Sequence, residues 1–314
     1  MSRRVLVLKA AVTVALIAAM LWSIDLARLA QRMAGLDPGW LAASFLVVLA
    51  AVAVSAWKWG MILADRGHPL PFARLLRHYF VGLFFNNLLP GTIGGDAVRA
   101  FETSRETGEV PEAVGSVVTE RLIAGAALGL TAALGLPFTA TGAGFIGPVL
   151  LFLAINLALV GLFLIPKVAE GIVRGLLPKA LNGVGAGVIG TVQAVRATIG
   201  TPWLLARVLA LSILFQVLVA AVNATLFRAI GVPVPLGACI ILTPMIFTIT
   251  MIPVSLSGMG VREAAYVYFF AQVGVPAEEA LLASLAFFVV VGLASLPGAP
   301  LFLIGRRAPK PVSG

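Results

Sequence analysis

The chain has 314 residues, 60% of them hydrophobic and only 11% charged, with a mean hydropathy of +1.06 and a formal net charge of +9. Apolar segments of membrane-spanning length recur throughout, so the reading is a polytopic membrane protein, and nucleic acid is not needed to explain the positive charge. A single cysteine, Cys239, allows no internal disulfide, and two histidines, His68 and His78, outside any HExxH pattern, leave no zinc site, so no metal or other cofactor is expected.

In chain order, Ser2-Arg3-Arg4 leads into an apolar run from Val5 to Ile24 that lacks a clear small-residue cleavage site and reads as a first span. Further spans are predicted at Trp40 to Leu63, Glu112 to Pro137, Phe145 to Ile165, Trp203 to Phe227 and Ala277 to Ile304. Tyr79 to Leu89 and Leu236 to Ile252 are shorter and run into Pro-Gly/Ser breaks, which predicts half-helices of re-entrant hairpins.

The basic residues order these spans, because inner loops hold an excess of Lys and Arg. With the N-terminus inside, 15 of the 22 basic residues, Lys58 and Arg99 among them, fall on the inner side. Only Arg28, Arg32, Arg228 and Arg262 fall outside, while Lys9, Arg121 and Arg207 lie within spans. Both termini are therefore expected on the cytoplasmic side, with anionic lipid headgroups as the partner of the positive charge.

"FFNNLLPGTIGGDAVR" from Phe84 aligns without a gap on "FTITMIPVSLSGMGVR" from Phe247, a shift of 163 residues. Five positions are identical, namely Phe84/Phe247, Pro90/Pro253, Gly95/Gly258, Val98/Val261 and Arg99/Arg262, against about one or two expected by chance in so biased a composition. The same shift carries the second span onto the fifth and the third onto the sixth. The expected fold is therefore all-α: a first half over 1–137 with a broken hairpin at 79–101, and a second over 138–314 with a hairpin at 236–274 and an inner linker at 166–202. Each half holds three spans, and three being odd, the halves enter the membrane in opposite senses, as in secondary transporters.

Irregular backbone at membrane depth must be buried in protein or line a cavity. Pro90 and Pro253 are expected to stop the incoming half-helices, and Gly94, Gly95, Gly258 and Gly260 to allow a tight return. The outgoing helices then begin near Asp96 and near Ser257 to Gly260, with free N–H groups facing the cavity, and Arg99 and Arg262 in their first turns offer guanidinium forks to a phosphate. Glu120 and Arg121 fall inside the third span, where an ionisable side chain needs a cavity or a partner. Glu263 is expected to point elsewhere than Arg262. "GAGVIG" at Gly185 fits GxGxxG, but no strand precedes it and it reads as linker. "GAALG" at Gly125 reads as close helix packing.

"NNLLPGTIGGDAVRA", "TERLIAG" and "PVSLSGMGVREAAYVYFF" resemble the signatures of the flippase-like family that includes the transmembrane domain of lysylphosphatidylglycerol synthase, over nearly the whole chain. The resemblance implies a multi-pass protein of the bacterial inner membrane that moves an anionic phospholipid or lipid-linked glycan between leaflets. By position it places Asn86, Asn87, Gly94, Gly95, Asp96, Arg99, Glu120, Arg121, Ser257, Gly258, Gly260, Arg262 and Glu263 in the substrate-binding region. No aminoacyl-transferase domain follows in this sequence, so lipid aminoacylation is not expected. Three other readings stay open: an intramembrane enzyme on a lipid phosphate with Asp96 or Glu120 as base, an ion or solute transporter, and a non-transporting subunit of a lipid or glycan synthase. Homo-oligomerisation is compatible with each.

Overall fold

The computed structural model describes residues 31–32, 34–88, 94–138, 143–165, 182–251 and 258–305. The predicted first span, Pro90, Pro253 and Ser257 lie outside these. Every regular element among the described residues is helical: α1 (Pro38–Asp65), α2 (Phe72–Leu88), α3 (Gly94–Thr107), α4 (Val110–Gly135), α5 (Ala143–Leu164), α6 (Asn182–Ile199), α7 (Pro202–Ile230), α8 (Leu236–Thr250), α9 (Val261–Ala271), α10 (Ala277–Ser295) and α11 (Gly298–Gly305).

Four helical stretches, Pro38–Asp65, Val110–Gly135, Pro202–Ile230 and Ala277–Ile304, are long and apolar enough to cross a membrane, and Ile146–Leu162 and Leu236–Thr250 are shorter apolar stretches. Their outer faces carry bare Leu46, Leu134, Leu151, Leu293 and Leu303, each more than half exposed. A soluble fold would bury such a surface, whereas lipid tails are its natural solvent. This is an all-α polytopic membrane protein.

α1 starts where Asp37 accepts the Gly39 and Trp40 N–H groups at 2.7 and 3.0 Å, with Pro38 at the first helical position. Its principal partner is α7. Asp37 N–H donates to Ala229 O, Ser44 to Thr225, and Lys58 to Ser212. As the number rises on one helix it falls on the other, so α1 and α7 are antiparallel. The four elements α1 to α4 recur in order as α7 to α10, starting at Pro38 and Pro202, Phe72 and Leu236, Gly94 and Val261, and Val110 and Ala277.

The first hairpin is longer at both ends than 79–101. α2 begins seven residues before Tyr79, and α3 continues to Thr107. The added turns are polar, so an apolar-length criterion passes over them; Arg74 and Arg77 on α2 instead pair with Glu102 and Glu106 on α3. Gly95 lies against α2 so closely that a Cβ there would stand 1.8 Å from the Gly82 carbonyl oxygen. Gly94 and Gly95 thus serve a helix start and a close crossing, while Gly258 and Gly260 stand just ahead of α9 at φ +74° and +82°, in the left-handed region that favours glycine.

One further expectation is corrected. Part of the 166–202 linker is α6, whose Val192, Val195 and Ile199 repeat at helical spacing and are buried, with Ala194 against Gly115 of α4. "GAGVIG" lies inside this helix. The sixth predicted span, Ala277–Ile304, is long and apolar enough to cross; its helix turns at Leu296-Pro297, and α11 then packs on α2, a Cβ on Gly298 standing 2.2 Å from the Phe80 carbonyl oxygen. The GAALG reading holds: Gly125 and Gly129 of α4 sit against Asn156 and Leu153 of α5.

Candidate functional site

Midway along α1 a cavity of about 210 Å³ opens between α1, α2, α3, α4, α7 and α10. Its polar lining comes from Tyr79, Asn86, Asp96, Arg99 and Arg121, and its apolar lining from Val48, Val52, Phe215, Val219, Val222, Phe287 and Val291.

The close Gly82/Gly95 crossing sets the first turn of α3 against α2, beside the charged lining. Asn86, in the last turn of α2, accepts the Gly95 N–H at 2.9 Å. Asp96 then accepts a two-pronged bond from Arg121 of α4, from Nε at 2.6 Å and Nη2 at 2.9 Å. One turn on, Arg99 points inward. Its guanidinium lies 4.8 Å from the Trp59 ring and 4.6 Å from the Tyr79 ring, and pairs with Glu120 at 2.8 Å. Glu120 also accepts the Tyr79 hydroxyl and stands 3.5 Å from Lys58 Nζ. Lys58 reaches across to Ser212 of α7 at 3.3 Å and lies over the Phe215 ring.

The network is therefore Lys58–Glu120–Arg99–Asp96–Arg121, drawn from α1, α3 and α4 and touching α2 and α7. Its inner members are sealed, with side chains of Lys58, Arg99 and Glu120 only 2%, 2% and 3% exposed, whereas Arg121 is 51% open. Fully ionised, it holds three cations against two carboxylates, a surplus of one positive charge at the cavity wall. Charge taken out of water must be paired where it sits, and the surplus favours an anion.

The second half is built differently. Glu263 accepts the Gly260 N–H at 2.6 Å at the start of α9 and, on its other oxygen, takes its own neighbour Arg262, contrary to the expectation that the two diverge. Capping draws the carboxylate back over the helix start, within reach of the next side chain. Ser284 also accepts from Arg262 at 3.2 Å, and the guanidinium lies over Phe288. Neither Arg262 nor Glu263 lines the cavity, and Gly258 packs against Thr250 of its own hairpin. The positions matching Lys58, Asp96 and Glu120 under the 163-residue shift are Ala221, Met259 and Ala283.

Of the residues expected from sequence, Asn86, Asp96, Arg99 and Arg121 meet at the cavity, with Glu120 directly behind. Asn87 is exposed at the end of α2, and Arg262 and Glu263 form a separate pair. Sequence reasoning missed Lys58, Trp59 and Tyr79. Lys58 had a signal, a lysine inside an apolar run, but its nearness to Leu63 assigned it to the interface.

An all-α polytopic membrane protein with a charged cavity partway along its crossing helices is the class these features define. The chain belongs to the family of the lysylphosphatidylglycerol synthase TM region, which it matches over residues 6–298. It is also similar to the UPF0104 membrane protein PH1989 of Pyrococcus horikoshii, at 25% identity over 113 residues. That stretch covers 35% of this chain and 34% of the relative, about a third of its length.

Proposed function

We propose that this protein is a flippase-like translocase that moves a phosphate-bearing phospholipid or lipid-linked glycan between leaflets. The observation that carries the reading is the mixed lining of the cavity: a net-positive group of Asp96, Arg99 and Arg121 together with apolar side chains from α1, α7 and α10. A charged headgroup with apolar chains needs both environments at once, and the cavity has room for a headgroup while the chains stay in the bilayer. Family membership points the same way.

The two halves act as inverted repeats that rock about the α1/α7 contact. In support, the antiparallel helices α1 and α7 are each other's counterparts under the 163-residue shift. The positive-inside asymmetry puts both termini on the cytoplasmic side of a bacterial inner membrane, and it survives the removal of Lys58 and Arg99 from the inner count. Against an intramembrane enzyme, Asp96 and Glu120 are both occupied by guanidinium groups.

Mass spectrometry of lipids that copurify with wild type, Arg121→Ala and Leu83→Trp, which fills the cavity, tests this reading. One phosphate-bearing lipid class enriched in the wild type and lost in both variants is expected. Bulk-membrane lipid in all three would favour an accessory role, and a covalently altered lipid an enzyme.

A further inference from the structure

The sequence offered Arg99 and Arg262 to a headgroup phosphate and put Arg121 in the substrate-binding region only by resemblance; the structure separates the three. Arg99 is closed off, its side chain 2% exposed, set against two aromatic rings and paired with Glu120. Arg262 is occupied by Glu263 and Ser284 and lies off the cavity. Arg121 lines the cavity with half of its side chain open, and its fork is filled by one carboxylate, Asp96.

Resting on the lipid reading above, we propose that Arg121 receives the anionic headgroup and that Asp96 is its internal stand-in, displaced when the headgroup binds. A carboxylate and a phosphate offer a guanidinium the same pair of oxygens, so Asp96 occupies the place the headgroup would take. The displaced carboxylate is not stranded, because Arg99 Nη2 stands only 3.4 Å from Asp96 Oδ1 on the same helix. A swap from Arg121 to Arg99 leaves no bare charge, and the incoming anion neutralises the surplus positive charge of the network. It also has a mechanical consequence. The Asp96–Arg121 fork ties the first turn of α3 to α4, so its opening frees that turn while Arg99–Glu120, one turn further on, remains as the pivot. Headgroup binding is thereby coupled to movement of the hairpin.

The test uses the full chain in nanodiscs of phosphatidylcholine with and without phosphatidylglycerol as the anionic probe, reading retained lipid by native mass spectrometry. Asp96→Asn removes the competitor but keeps the shape, and should retain the anionic lipid about tenfold more tightly, the factor expected if the free fork is populated a tenth of the time in wild type. Arg121→Ala should lose the preference, and Arg121→Lys, which keeps the charge without the fork, should fall between. Thermal midpoints in detergent identify any variant that misfolds, and Arg121→Lys then stands in for Arg121→Ala. Equal weakening by Asp96→Asn and Arg121→Ala would make the pair purely structural and overturn the proposal, as would wild-type retention by Arg121→Ala. No preference for the anionic lipid in wild type would overturn the lipid reading itself, so the two failures are distinct.

Discussion

Glu120 receives three groups at once: the Arg99 guanidinium, the Lys58 ammonium and the Tyr79 hydroxyl. Taking away one partner of a buried ion pair leaves the other uncompensated and costs about 3–5 kcal/mol, so Glu120→Ala should strongly lower the thermal midpoint of the detergent-solubilised protein. The loss should be non-additive. Lys58→Met combined with Glu120→Gln removes one orphaned cation and should be less destabilised than Glu120→Gln alone; simple addition would mean that Lys58 and Glu120 do not interact. At this scale the sequence was half legible. Glu120, Arg121, Asp96 and Arg99 stood out as charges beside apolar or broken stretches, but a sequence does not say which of two arginines is sealed against aromatic rings and which faces open space. That depends on Trp59 and Tyr79, aromatics no pattern marks.

Between elements, the crossing of α2 and α3 rests on the absence of a single methyl group. Gly95→Ala would place a Cβ 1.8 Å from a backbone oxygen, so the helices must separate and Asp96 must leave Arg121. Gly82→Ala, whose Cβ would stand 3.2 Å from the Gly95 carbonyl oxygen, asks for a smaller shift. Thermal unfolding should rank them with Gly95→Ala clearly the worse, and equal effects would contradict the crossing. Farther along the same pair, at the polar end of the hairpin, the His78 imidazole 3.3 Å from Glu106 holds that carboxyl below its ordinary value of 4.5, despite partial burial that pushes it up. Because the folded value is the lower one, its contribution is complete above pH 4.5 and fades as pH falls through the folded value. Midpoints measured across this acid range should decline less steeply in Glu106→Gln than in wild type. The same polar turns explain why the hairpin was read short: apolar length marks what lipid can touch, while α2 and α3 extend further by pairing their charges with each other.

Across the whole molecule, the repeat was read from five identical residues at one fixed shift, and α1 to α4 recur in the same order as α7 to α10, with starts 164 to 167 residues apart. The division of labour between the halves was not. Arg99 and Arg262 align, yet the carboxylate partners of Arg99, Asp96 and Glu120, are Met259 and Ala283 in the second half, and Arg99 lines the cavity while Arg262 does not. If the halves are inverted, single cysteines at Asp65→Cys at the end of α1 and Pro233→Cys after α7, in a Cys239→Ala background, should react with an impermeant maleimide from opposite faces of the membrane. Labelling from one face would refute the inversion. Translocation itself can be read in proteoliposomes holding a fluorescent anionic phospholipid, by the fraction of inner-leaflet probe that an impermeant quencher reaches over time. Wild type should expose that lipid far faster than empty liposomes, while Arg121→Ala and Leu83→Trp stay at the protein-free rate. Wild type no faster than empty liposomes, or Arg121→Ala as fast as wild type, would contradict a lipid path through this cavity.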